Sequence, residues 1–293
     1  MKKIHIVSPA KMIDKDCIDF AVDFFTKNGF DIDVATHALG QNNYFSGTDK
    51  ERLHDFQQAL DAEDVDFILC ARGGYGSVRI IDSLDFSGLK KNPKLIIGFS
   101  DITVFHNHVH SNFSLPTLHA SVPLNFKENT EAALSSLLNV LIKKPNKYQI
   151  TSHSLNQLGL VEATIVGGNL SIIYSLIGTN SDIDISGKIL FVEDIGEPIY
   201  AIDRMFYALE KSGKLKTLAA LIVGGMTNIK DTEIPYNQST EEIISSHTKK
   251  YNYPVCFNFP AGHISDNRAI LLGSKAQLNI TENGVDFSQD NFY

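Results

Sequence analysis

The segment Leu95-Ile96-Ile97-Gly98-Phe99-Ser100-Asp101-Ile102-Thr103 constrains the fold of this chain more than any other. A fully apolar run ends in a small residue, then a serine, then an acid that opens a helix-like segment. An α/β fold presents a nucleophile in this way: the strand stops, the chain turns sharply, and the hydroxyl projects above the sheet edge. The next backbone N–H groups have no partner at the helix start and face the place where an oxyanion would develop. The α/β-hydrolase elbow G-x-S-x-G has a second glycine after its serine, and this chain has none there. The turn is therefore elbow-like without requiring the α/β-hydrolase fold. A Ser-Asp pair also makes an ordinary helix N-cap.

Around this segment, strand-like and helix-like stretches alternate. Ile4–Val7, Ile32–Ala35, Phe67–Cys70 and Leu95–Phe99 read as strands. Cys17–Lys27, Lys50–Ala62, Val78–Leu84, Asp101–His110 and Glu131–Lys143 read as helices. That spacing predicts a parallel sheet with helices on both faces. After about Lys143 the pattern changes, and Lys144–Ser154 reads as a linker or an opening edge strand. Strands at Glu162–Val166, Lys188–Glu193, Ala219–Gly224 and Pro254–Phe257 then mix with helices at Asn169–Ile177, Ile202–Ser212 and Thr240–Lys249. A hairpin signature closes the chain around Glu282-Asn283-Gly284. The fold class expected is α/β: a parallel-sheet domain over residues 1–145, and a smaller β-rich α+β domain over 156–293.

With 293 residues, 43% of them hydrophobic, the chain can bury one large core or two modest ones. Its 26 Lys plus Arg against 34 Asp plus Glu give a net charge of -8 and no basic patch, which argues against nucleic acid. Cys17, Cys70 and Cys256 are odd in number and lack metal-type spacing, which suits a reducing compartment. The start of the chain, Met1–Val7, has too short an apolar run for a signal peptide, and no stretch is long and apolar enough for a membrane span. A soluble cytoplasmic protein is expected.

Three further stretches carry chemistry. Arg72-Gly73-Gly74-Tyr75-Gly76 follows a strand, where glycines let the backbone approach a ligand closely. Neither it nor Ser8-Pro9-Ala10-Lys11 holds a Walker or dinucleotide fingerprint, which disfavours a nicotinamide or flavin cofactor. A tight strand-to-helix turn would look the same. The strand Ile189-Leu190-Phe191-Val192 ends in Glu193-Asp194, and a carboxylate there can orient a histidine. Glu197, Asp203 and Arg204 lie close by and would equally form a plain ion-pair network with it. His263, between Gly262 and Ile264-Ser265-Asp266, is a candidate general base. His106 and His110 share a helix face at a metal-capable spacing, although no H-E-x-x-H accompanies them.

In order along the chain, these segments resemble the LD-carboxypeptidase family of serine peptidases, which includes muramoyl-tetrapeptide carboxypeptidases and microcin C self-immunity peptidases. The matching stretches are Arg72–Gly76, Gly98–Thr103, Gly167-Gly168-Asn169-Leu170, Glu193-Asp194 through Glu197, Tyr200–Met205 and Gly262-His263. The resemblance implies a Rossmann-like N-terminal domain, a β-rich C-terminal domain, and a Ser-His-Glu triad carried across both. Ser100 is the nucleophile, Glu193 the orienting acid and His263 the base, with the Gly74 and Asp101 backbone N–H groups as oxyanion donors. It further implies no metal or organic cofactor, a homodimer, and a small peptide or muropeptide substrate; charge and hydropathy add the expectation of no membrane or nucleic-acid partner. Where the family often has His-Gly-Pro, this chain reads His119-Ala120-Ser121-Val122-Pro123, which leaves substrate preference open.

The reaction expected is hydrolysis of an L,D amide bond that releases the terminal D-alanine of a muropeptide tetrapeptide. Arg72 either binds the free carboxylate of such a substrate or packs on the sheet edge. Two other readings stay open: a peptidase acting on microcin C-like aminoacyl or peptidyl nucleotides, and a catalytically silent ligand-binding module.

Overall fold

The computed structural model describes residues 1–290. Its first part alternates strand and helix. The strands are β1 (Lys3–Val7), β2 (Asp31–Val34), β3 (Phe67–Cys70), β4 (Leu95–Gly98) and β5 (Thr117–His119). Between and after them lie α1 (Lys15–Lys27), α2 (Asp49–Asp61), α3 (Thr103–Phe113) and α4 (Glu131–Leu141). The remainder continues with β6 (Asn146–Ile150), β7 (Gly159–Asn169), α5 (Leu170–Ser175), β8 (Ile189–Ile195), α6 (Ile199–Lys211), β9 (Ala220–Thr227) and α7 (Thr240–Thr248). It ends with β10 (Val255–Cys256), β11 (Ile270–Leu272), β12 (Lys275–Thr281) and β13 (Gly284–Gln289).

Two sheets result. The first has the order β11-β5-β4-β3-β1-β2, parallel from β2 to β5. Strands β3 and β4 are buried along their whole length because helices cover both faces, as their unbroken apolar sequences require. On one side Phe25 of α1 and Leu137 of α4 pack on Ile4, Phe67 and Ile97. On the other, Phe56 of α2 stacks on Phe105 of α3 over Ile68 and Ile96.

The second sheet runs β10-β9-β8-β7-β12-β13-β6. Strand β7 belongs to two ladders: Gly159–Thr164 pairs antiparallel with β12, and Ile165–Asn169 pairs parallel with β8. That shared role accounts for its greater length than the Glu162–Val166 read from sequence. The Lys144–Ser154 stretch contains β6, an edge strand whose alternating burial explains its polar look. The helix expected at Val78–Leu84 is instead two 3-10 turns, Ser77–Arg79 and Ile81–Ser83. Ile80, between the two turns, sits at φ -114°, well off the helical value, so no continuous helical ladder runs through it.

The two sheets are joined by β11. It leaves the second half of the chain and pairs antiparallel with β5, placing Ile270 opposite His119. Ile270 and Leu272 then pack with Ile165, Phe191 and Phe259 on the inner face of the second sheet. This contact brings the ends of β4 and β8 near each other, and the candidate site lies there.

Candidate active site

Ser100 sits where β4 stops. Its φ is +63°, a left-handed conformation that costs a non-glycine residue about 1 kcal/mol or more and persists only when the surroundings impose it. The surroundings are the Arg72–Gly76 loop, which passes so close that a side chain at Gly73 would lie 2.8 Å from Ser100 Cβ.

Two buried charged groups hold that loop. Asp101, 1% exposed, accepts the Ser77 N–H through Oδ2 at 2.8 Å. Burial outweighs this bond and holds its carboxyl above the usual range. From α2, the buried Arg52 donates to the carbonyls of Gly76, at 3.0 Å, and Pro9, and pairs with Asp49. Asp49 also takes Arg79 at 2.7 Å. The loop bearing the Gly74 N–H is thus clamped between a carboxylate and a guanidinium. The sequence reading passed over Arg52, although it sits on the buried stripe Arg52-Asp55-Phe56-Ala59 of α2, where an arginine needs buried partners.

Arg52→Met should therefore leave the buried Pro9 carbonyl unpaired, while the Gly76 carbonyl keeps the Arg79 N–H at 3.1 Å. At about 1–3 kcal/mol for an unsatisfied group, urea unfolding should shift by about 2 kcal/mol. A midpoint equal to wild type would show that the clamp does not hold the loop.

The acid and the histidine come from the other half of the chain. Glu193 is fully buried near the end of β8, and its Oε2 lies 2.6 Å from His263 Nδ1. A register shift between β8 and β9 at this level sets Gly224-Gly225 against Glu193. The shift lets the His263 loop approach, since a Cβ at Gly224 would collide with the Ala261 carbonyl. Gly262, at φ +109°, is pressed against the acid: a side chain there would lie 2.6 Å from Glu193 Cβ. Burial pulls the His263 pKa down, but the charge of Glu193 and its hydrogen bond prevail and leave it raised.

Asp194 beside it points elsewhere. It accepts from Asn169 Nδ2 at 2.9 Å and from the Ser171 and Ile195 N–H groups at 2.8 Å. Burial and the neighbouring Glu193 push its pKa up to about 6. The Asn169 N–H in turn donates to Thr103 Oγ1 at 2.9 Å, so the Gly167–Leu170 segment locks β7 onto the first turn after the elbow.

The two groups of residues meet through Phe99, whose ring centroid is 4.8 Å from that of His263. Among the described residues no hydrogen bond joins Ser100 to His263, a looseness common in ligand-free sites. A cavity of about 190 Å³ opens beside His263, lined by Phe99, Asn125, Glu128, Ile195, Ile264 and Ser265. A larger one, about 740 Å³, lies at the opposite end of the first sheet among Lys2, Phe30, Pro93 and Leu141, away from these groups.

Other sequence candidates fall outside this constellation. Asp203 accepts from Tyr236 OH and meets His247 Nε2, both at 2.8 Å, so it forms no network with Glu193. Among the described residues no ion pair joins Glu193 to Arg204. His106 is committed to the Gly98 carbonyl at 3.0 Å, and burial lowers its pKa to about 4. Among the described residues, no cluster of three or more His, Cys, Asp or Glu could hold a metal ion. Arg72 donates to the Met12 carbonyl at 3.0 Å and remains partly exposed.

A strained serine at a strand end, near a histidine held by a buried carboxylate, is the equipment of an acyl-transfer hydrolase. Comparison with known proteins gives the class its name. Residues 4–120 match the LD-carboxypeptidase N-terminal domain and residues 162–278 the LD-carboxypeptidase C-terminal domain. The probable murein peptide carboxypeptidase of Bacillus subtilis is 32% identical over 284 residues, covering 95% of this chain and 89% of that protein. The murein tetrapeptide carboxypeptidase of Pseudomonas aeruginosa is 29% identical, with 94% of this chain and 92% of its own length covered. The crystal structure of muramoyltetrapeptide carboxypeptidase from Oxalobacter formigenes superposes with a TM-score of 0.89 at 26% identity, over 98% of each chain. This chain belongs to the LD-carboxypeptidase family.

Proposed function

We propose that this enzyme releases the terminal D-alanine from a muropeptide tetrapeptide by a serine mechanism. The observation that carries the proposal is the 2.6 Å Glu193–His263 pair, packed on the ring of the residue preceding the strained Ser100. Ser100 Oγ attacks the carbonyl carbon of the L,D amide while His263 Nε2 takes its proton. Glu193 holds the imidazole tautomer and stabilises the imidazolium. The Gly74 and Asp101 N–H groups receive the oxyanion, in the loop and turn that Arg52 and Asp101 brace. His263 then protonates the leaving amine of D-alanine, and water hydrolyses the acyl-enzyme.

A cytoplasmic homodimer completes this reading. Cys17, Cys70 and Cys256 are all free, which suits a reducing compartment, and the family resemblance supports the pairing of two copies.

Mass spectrometry on a panel of defined stem peptides tests the substrate. Loss of one D-alanine from tetrapeptides, but not from their all-L counterparts, is the expected result. Turnover of an aminoacyl-sulfamoyl adenylate without any action on tetrapeptides would transfer the assignment to the nucleotide-peptide branch.

The raised His263 pKa also has a sign. Base catalysis needs the neutral ring, so kcat/KM should fall as pH drops through a value above the ordinary histidine pKa of about 6.5. Stability runs the opposite way. The Glu193–imidazolium pairing contributes fully below the unfolded histidine pKa and is lost as pH rises through the folded one. Activity and unfolding midpoint should therefore move in opposite directions over that window, and parallel curves would contradict the pairing.

A further inference from the structure

Behind the acid–base pair, the interior holds polar atoms that this chemistry does not use. Glu193 gives Oε2 to His263, and its Oε1 has no partner. Asn267 accepts the Gly262 N–H through Oδ1 at 2.8 Å and leaves Nδ2 unpaired, at 1% exposure. His119, wholly buried at the end of β5, has neither ring nitrogen in a hydrogen bond. An unsatisfied buried polar atom costs about 1–3 kcal/mol, so three such side chains together require an account.

They converge on one place. Phe191 and Glu193 are two apart on β8 and share the face turned toward the first sheet. The Phe191 ring meets the His119 ring edge-on at 4.8 Å. In the first sheet His119 pairs with Gly98, directly beneath the elbow. The Phe99 ring spans the remaining gap, 5.8 Å from His119 and 4.8 Å from His263. The Asn267 amide lies beside the His119 ring, outside direct hydrogen-bond geometry. Asn267 also holds Gly262, where a side chain would lie 2.8 Å from Glu193 Oε2. Burial, and then the nearby His106 and His263, hold the His119 pKa well below the ordinary histidine value and so favour the neutral ring. A neutral imidazole offers one N–H donor.

We infer that one buried water bridges Glu193 Oε1, Asn267 Nδ2 and the His119 ring, and that His119 is thereby a positioning residue for the acid. The water gives a hydrogen to Oε1 and accepts from the Asn267 amide and the His119 N–H, within the two to four partners usual for buried water. This arrangement fixes the rotation of the carboxyl so that Oε2 meets His263 Nδ1. It also spreads the carboxylate charge, which limits how far the His263 pKa is raised. The effect on rate rests on the proposed catalytic roles of Glu193 and His263; the water itself does not.

Two experiments test this. A crystal structure of the wild-type protein at about 1.5 Å should show an ordered water within hydrogen-bond distance of all three side chains, and a dry gap there overturns the inference. The second compares His119→Gln with His119→Met, side chains of similar volume of which only glutamine keeps a donor. The methionine variant should lose about tenfold in kcat with KM unchanged, and its acid limb in kcat/KM should move to higher pH. The glutamine variant should recover most of the rate. The NMR resonance of the His263 Nδ1 proton should shift in the methionine variant only, and it is read without substrate. Equal rates, limbs and resonances in the two variants would assign His119 to packing alone. A wild-type protein with the water and the resonance in place but no release of D-alanine would instead refute the functional reading.

Discussion

Ser100→Ala is expected to lower kcat on a muramyl tetrapeptide by about 10⁴-fold or more while leaving KM nearly unchanged. Alanine removes the proposed nucleophile, yet the braced loop, Gly74, Asp101 and the histidine pair all remain. It also keeps the left-handed backbone of this position, so the variant should fold. Single-turnover mass spectrometry should show a covalent acyl adduct on the wild-type protein and none on the variant. A variant within tenfold of wild type would remove Ser100 from the reaction and leave the strain at φ +63° without a functional reason.

Glu193→Gln should be almost as severe, lowering kcat by about 10³- to 10⁴-fold. The amide can face His263 Nδ1 with either its oxygen or its NH₂, and it no longer balances the imidazolium. The acid limb of kcat/KM should also drop to lower pH, because the charge that raises the His263 pKa is gone. Above the folded His263 pKa, where the ring is neutral, the unfolding temperature should stay level or rise, since a fully buried carboxylate is costly to desolvate and glutamine fills the same volume. Below it, loss of the imidazolium's partner should lower the unfolding temperature. A collapse in stability with normal kcat in the surviving fraction would make Glu193 a structural acid. Loss of rate at undiminished stability is the outcome the geometry supports.

Much of this site could be read from the residues in line. The apolar run before Ser100 and the sharp change of character after it are local signals, and the structure has a strand, a left-handed serine and a helical turn there. The glycine-rich loop after β3 was legible for the same reason: glycines at a strand end leave few conformational alternatives. The strands β5 and β11 were not legible. Each is three residues long, too short for a period, and each is defined by distant partners: β5 by β4 and β11, and β11 by β5. Arg52 escaped because an arginine in a helix pattern reads as a solvated face until its buried carbonyl partners are known. Lys144–Ser154 was ambiguous because an edge strand shows water one polar face.

What the chain determined by itself was residue chemistry and local geometry: where strands stop, which turns bend back, and which groups could take or give a proton. Tertiary structure alone decided that Glu193 meets His263, through the Gly224-Gly225 irregularity on β9 and the close passage of Gly262. It alone decided as well that β11 would pair with β5 and so join the two sheets. The physical reason is range. Side-chain periodicity records which face an element buries, whereas the partner it is buried against depends on sheet order and packing between segments far apart in the chain.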